Sequence, residues 1–140
     1  MTSKGKVLDK NKELARRSLE EVWSKGDMAV VDEIYSDEYI LHFPFGPAYT
    51  GKEGVRGQVG EFRTAFPDWT EQLLDIIAEG DRVVVRFLST GTHKGEFNGI
   101  APTGRRIALE EAAILRIKDR KIVEEWGFFD LFSLHRQLGE

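Results

Sequence analysis

Asp130 stands where a side chain could do acid–base work. It closes the stretch Lys121 to Asp130, in which Ile122, Glu124, Trp126, Phe128 and Asp130 recur with period two. The stretch Ile107 to Lys118 reads as a preceding strand, with Asp119-Arg120 as a hairpin turn between them. A turn of that length sets Ile117 against Ile122, Leu115 against Glu124, Ala113 against Trp126, Glu111 against Phe128 and Leu109 against Asp130. Directly opposed residues share a face, so a mostly apolar wall ends in a carboxylate. Desolvation there would make Asp130 hold its proton more tightly than in water, as a general acid or base near neutral pH requires. The same residue is placed to cap the helix beginning Leu131-Phe132-Ser133. The two roles are compatible.

Other side chains could assist it. His93 ends an inward-facing strand, where it either donates to a substrate oxygen or bonds to the loop Lys94 to Arg105. His42 alternates with Leu41 and Phe43 and so lies on one side of a short strand, a candidate pocket residue. Glu111 and Glu124 share the predicted face of Asp130. A buried glutamate needs a partner, so one lines a pocket and the other reaches solvent. Trp126 and Phe128 offer flat walls to a polycyclic ligand as well as material for a core. Arg86 is a tempting oxyanion ligand, but the register sets it against Asp75 and an ion pair is the simpler account. The three histidines are scattered without His-x-x-x-His spacing, which speaks against zinc. No Walker or dinucleotide glycine pattern appears, and no cofactor is expected.

The elements that must position these residues follow from periodicity. Leu8 to Lys25 reads as a helix with Leu8, Ala15, Leu19, Val22 and Trp23 on one stripe, ended by Gly26. Asp27 caps a second helix, Met28 to Tyr35, and a short strand Tyr39 to Phe43 follows. Pro44 to Pro47 must be a loop. Thr50 and Glu53 form a capping box for a helix with Val55, Val59, Phe62 and Phe66 on one side, stopped by Pro67. Beyond Trp69 the period becomes two. Glu71 to Glu79 and Arg82 to His93 form a hairpin about Gly80-Asp81, with Leu74, Ile76 and Ala78 facing Phe87, Val85 and Val83. Helices first and long antiparallel strands later imply an α+β domain with a curved sheet wrapped around the helices.

The chain has 140 residues, one domain's worth, and a net charge of −4 with scattered basic residues, unlike a nucleic-acid binder. No apolar run approaches the ~20 residues of a membrane span, and the start has no signal-peptide core. The absence of cysteine removes thiol chemistry and suits a cytoplasmic protein.

Residues along nearly the whole chain resemble the SnoaL-like polyketide cyclases of the nuclear transport factor 2-like superfamily. The resemblance is carried by Phe66-Pro67-Asp68, Glu79-Gly80-Asp81, Gly91-Thr92-His93-Lys94-Gly95 with Phe97 and Gly99, Pro102-Thr103-Gly104-Arg105, Lys121-Ile122, Trp126 with Asp130, and Gln137-Leu138-Gly139. Arg120 departs from the glycine usual in that turn. The resemblance implies a cone-shaped fold and an intramolecular aldol closure in which Asp130 is the acid/base. It also implies an apolar, polycyclic small-molecule substrate and a homodimer formed through the sheet. Ile77, Val84, Leu73, Leu88, Ile114 and Phe129 would make the apolar outer face. A hydrolase or isomerase of the epoxide hydrolase or ketosteroid isomerase type, or a non-catalytic binding domain, is the alternative. For the epoxide hydrolase type, Leu88 stands where an acid would be wanted.

Overall fold

The computed structural model describes residues 2–140. Helix α1 (Ser3–Arg17) carries the expected stripe and continues into wider, π-helical turns over Ser18–Trp23. Helix α2 (Met28–Ile34) is capped by the Asp27 carboxylate, which accepts from the Ala29 N–H. Strand β1 (Tyr35–His42) starts four residues earlier than the alternation suggested, and a two-residue strand β2 (Tyr49–Thr50) leads into helix α3 (Gly51–Ala65). The expected capping box does not form. The Thr50 side chain makes no cap bond, and Glu53 pairs with Arg56 instead.

Strands β3 (Thr70–Glu79), β4 (Arg82–Thr92), β5 (Arg106–Lys118) and β6 (Lys121–Phe128) follow, then helix α4 (Leu131–Gln137). One unclosed sheet has the order β2-β1-β6-β5-β4-β3 and is antiparallel except for the β1–β6 pair. The α+β expectation holds, and the helices fill the concave side. Ala15, Leu19 and Val22 from the first helix meet Val83, Val85, Leu115 and Ile122 from the sheet in the main core. A second cluster of Phe66, Trp69, Phe97, Ile107, Leu109, Leu134 and Leu138 closes the other end. No helix among the described residues is long and apolar enough to cross a membrane.

Two bulges decide which residues face inward. In β3 the register slips between Leu73 and Asp75. Leu73 therefore packs into the core, while Leu74, expected inside, is 39% exposed. In β6 the register slips after Ile122. Ile117 pairs with Ile122 as expected, but Arg116 pairs with Glu124, leaving Val123 as the extra residue. One inserted residue reverses the facing of everything beyond it. Beyond the bulge, Glu125 opposes Leu115 and Gly127 opposes Ala113, while Trp126 opposes Ile114 and Phe128 opposes Ala112.

The turn that precedes this bulge does have two residues. Asp119 and Arg120 sit at φ +51° and +62°, the primed geometry that matches strand twist. The Cβ of any L side chain is strained there, and Arg120 is exposed. Arg120→Gly is expected to raise stability by about 0.5–1 kcal/mol, the relief of strain less the extra chain entropy of glycine. Urea denaturation of the two proteins measures it.

Candidate active site

The inner face of the sheet carries three glutamates around one interior cavity. Glu71 on β3, Glu111 on β5 and Glu125 on β6 line it with Ser18, Trp23, Phe62, Trp69, Phe87 and Phe129, among others. No lysine, arginine or histidine lines it. Each carboxyl group has a side-chain donor. The Trp69 indole N–H donates to Glu71 Oε2 at 3.0 Å, the Ser89 hydroxyl to Glu111 Oε2, and the Tyr39 hydroxyl to Glu125 Oε1 at 2.7 Å. Glu71 Oε1 is buried and has no partner.

Desolvation dominates the proton affinities. Burial pushes Glu125 up to about 7, against the opposing effect of the Tyr39 hydrogen bond. Burial likewise raises Glu111 to about 7, with the nearby Glu125 adding to it and Ser89 opposing. Glu71 is raised well above the usual carboxylate range by burial first and by the charge of Glu111 next. Carboxylic acids that titrate near neutrality in an apolar cleft can both take and return protons at physiological pH.

The cavity is narrow, about 40 Å³, room for a few waters. Beyond it lies an open groove of about 550 Å³ between α3, the loop after β1 and the start of α4. Phe43, Phe62 and Phe129 border both spaces. Phe43 and Phe129 meet edge to face at 5.5 Å, and Phe45 closes on Phe129 at 5.4 Å. Gly127 makes room for this partition, since a Cβ there would lie 2.8 Å from the Phe43 ring. The buried Gln58 on the groove wall has an amide oxygen with no partner.

The residues singled out from the sequence fall in different places. Glu111 and Phe128 line the cavity. Asp130 does not. It is exposed, and its carboxylate caps α4 by accepting from the Ser133 N–H at 2.9 Å. The bulge at Val123 explains why the desolvated carboxylate is Glu125 rather than Asp130. The same slip turns Trp126 outward and puts Phe128 at the rim of the cavity. Trp126 stacks on His42 at 5.6 Å with the Arg82 guanidinium 5.0 Å from its ring, and Phe128 is 45% exposed. His42 shares that outer face and bonds to Glu124 at 2.8 Å, while Arg116 holds the other Glu124 oxygen. His93 is fully buried but outside the cavity lining. Its Nδ1 accepts from the Thr103 N–H at 3.1 Å and bonds to the Thr103 hydroxyl at 2.9 Å, so it secures the loop Lys94 to Arg105. That loop is also held by the N–H groups of Lys94 and Gly95 on the Ala65 carbonyl. Arg86 pairs with Asp75 at 2.6 Å and with Glu110, as its register required.

Glu71 and Glu125 were not among the sequence candidates. The signal for Glu125 is the adjacent apolar pair Ile122-Val123, which breaks strict alternation and marks where a bulge fits. For Glu71 it is the alternation Trp69, Glu71, Leu73, an acid set between inward-facing apolar neighbours.

The family model for SnoaL-like polyketide cyclase matches residues 13–138. The aklanonic acid methyl ester cyclase DauD of Streptomyces sp. (strain C5) is 30% identical over 133 residues, covering 91% of this chain and 81% of that one. TsrD of Streptomyces laurentii superposes with a TM-score of 0.83 at 30% identity, covering 94% of this chain and 96% of that one. A SnoaL-like protein of Jannaschia sp. CCS1 has the same fold, with a TM-score of 0.90 at 23% identity over 99% and 97% of the two chains.

The raised glutamates tie stability to pH. The folded state keeps a proton on Glu111 and Glu125 up to about pH 7, whereas the unfolded chain loses it near 4.5. In that window the folded state binds more protons, so stability is full below 4.5 and falls as pH rises to 7. Glu124, held ionised by its bonds to His42 and Arg116, acts in the opposite sense at lower pH. Glu125→Gln is therefore expected to be more stable than the parent at pH 8 by about 1–3 kcal/mol. The difference should be small at pH 4.5, as chemical denaturation at the two pH values would show.

Proposed function

Because this chain belongs to the SnoaL-like polyketide cyclase family, we propose that it closes a ring in a polyketide ester by intramolecular aldol addition, with Glu125 as the acid/base. The observation that carries this reading is a carboxyl group lining an apolar cavity with one hydroxyl donor and no basic side chain beside it, surroundings that push its proton affinity up to about 7. Ionised Glu125 takes a proton from the carbon alpha to a carbonyl. The resulting enolate attacks a second carbonyl of the same molecule, forming the ring bond, and protonated Glu125 returns the proton to the new alkoxide. The sum is an isomerisation that needs only side chains. Holding both carbonyls in one folded substrate removes much of the entropic barrier.

The volumes support a division of the substrate. A cavity of about 40 Å³ admits a carbonyl and its alpha carbon, not a ring system. The body of a flat, apolar substrate belongs in the groove of about 550 Å³, against Phe43, Phe45, Phe62, Phe97 and Phe129. Asp130 keeps the role of helix cap, and His93 that of loop anchor.

Aklanonic acid methyl ester, named for the Streptomyces relative, is a suitable first probe, with ring closure followed by chromatography. Glu125→Gln should lower turnover by roughly 100-fold or more, the usual weight of a general base. Asp130→Asn should stay within a few-fold, since asparagine caps a helix about as well. The wild-type rate should rise with pH through an ionisation near 7, because the ionised form of Glu125 starts the reaction. The reverse pattern of the two variants would move the proton chemistry to Asp130.

Assembly through the outer sheet face belongs to the same proposal. Ile77 is 63% and Val84 37% exposed there, beside half-buried Leu88, Ile114 and Trp126. Leu73 and Phe129, expected on this face, pack inside. An apolar patch of this kind suits a second copy of the chain. Light scattering should give a dimer for the parent protein at micromolar concentration. A Val84→Arg, Ile77→Asp double variant should give a folded monomer, and a monomeric parent would remove the proposal.

A further inference from the structure

The proposed reaction leaves one part unassigned, the donor that holds the substrate oxygen as its charge develops, and the structure points to a third glutamate for it. Glu71 is 7% exposed and opposes Ser89 near the start of β3. Its position is over-determined. Its backbone N–H donates to the Ser24 hydroxyl at 2.9 Å, and its Oε2 accepts from the Trp69 indole at 3.0 Å. The residue lines the cavity, and its Oε1 is buried without any partner.

An ionised carboxylate in such a place would need two or three donors or a cation. Only Trp69 supplies a donor, and no basic side chain lines the cavity. The titratable groups that face Glu71 are Glu111 from β5 and Glu125 from β6, which repel a negative charge there, and Tyr35 from β1, a neutral phenol that offers no compensating charge. A neutral acid fits these surroundings. Its hydroxyl donates, while the indole bond occupies its carbonyl oxygen.

We propose that Glu71 is held as a neutral carboxylic acid whose Oε1–H donates to the substrate carbonyl oxygen, the atom on which negative charge gathers when Glu125 removes the alpha proton. This rests on the acid/base reading of Glu125 and adds the group that makes the enolate accessible. The raised proton affinity of Glu71 is in keeping with it. Donors fixed in a dry site before the reaction begins are worth more than donors in water. Glu71 is fixed on a strand, so little reorganisation accompanies charge development. The site thereby divides two acids by role, one that exchanges its proton and one that shares it.

The test uses the full chain and 1-tetralone, a ketone without hydrogen-bond donors. Infrared spectra at pH 7 should show protonated-acid carbonyl bands, one of which disappears in Glu71→Gln. Saturating 1-tetralone should shift both that band and the ketone stretch to lower frequency. Glu71→Gln, which keeps an N–H donor, should retain part of the ketone shift, and Glu71→Leu should abolish it and weaken binding roughly tenfold. Exchange of the ketone alpha hydrogens in deuterium oxide separates this proposal from the one beneath it. Glu125→Gln should stop the exchange while leaving the ketone shift intact, and Glu71→Gln should slow it roughly 100-fold. Exchange surviving in Glu125→Gln would refute the base alone. An ionised Glu71 in the parent protein, no saturable ketone shift, or an equal shift in Glu71→Leu would overturn the role of Glu71 whatever Glu125 does.

Discussion

Three carboxylic acids share one apolar space that no basic side chain lines among the described residues, and most of the molecule's behaviour follows from that. Each charge placed there loses hydration and repels the next. The groups therefore titrate as a set rather than one by one. Glu125 and Glu111 come to rest near neutrality, while Glu71, the more deeply buried, stays further up. The donors Tyr39, Ser89 and Trp69 moderate the effect without cancelling it. A fold chosen for stability alone would have placed leucines here. Keeping acids means that the fold is weakest where they ionise, which is a cost commonly met at sites built for proton transfer.

Holding three acids in one place requires rigid support, and the helical layer supplies it. The first helix widens into π-helical turns over Ser18–Trp23, a local irregularity that often accompanies functional sites. That segment brings Ser18 to the Tyr35 hydroxyl at 2.5 Å and is followed by Ser24, which receives the Glu71 N–H. The helix thereby reaches β1 through Tyr35 and the edge strand β3 through Glu71. Arg63 from α3 adds bonds to the carbonyls of Trp23, Ser24 and Trp69, joining the same corner from the other side. The acids on β5 and β6 need less help, because central strands are held along both edges.

How far the sequence discloses this depends on which forces are local. The stripe Ala15, Leu19, Val22 was legible because burial repeats with the helix period, and the pairing of Arg86 with Asp75 because a two-residue turn at Gly80-Asp81 sets their register. The family motifs identified the fold. Neither bulge was legible in the same way. A bulge changes one residue in a strand, and Ile122-Val123 reads as good strand whether or not it contains one. Its effect is nonetheless global for the strand, exchanging Glu125 for Asp130 as the interior acid and sending Trp126 to the outer face and Phe128 to the cavity rim. His42 goes outward with Trp126 because β1 pairs in parallel with β6, a long-range contact that alternation within Leu41, His42 and Phe43 cannot report. His93 was correctly placed inside, but its partner is the loop it anchors rather than the cavity.

Depth creates a further demand. The acids are tuned only while the cavity is dry, yet a substrate must reach them. The aromatic partition of Phe43, Phe62 and Phe129 lies where these two needs conflict. Their contacts are edge-to-face pairs, worth about 0.5–1.5 kcal/mol each beyond burial, so displacing them is affordable for a flat ligand that offers its own rings in exchange. Such a ligand replaces the partition it displaces and restores the dry surroundings the acids require. Water or a small polar molecule brings no such replacement and gains nothing by opening it. Under the proposed ring closure, selectivity for a broad, apolar body with a reactive carbonyl at one end comes from the partition and the acids together, since each makes the other effective.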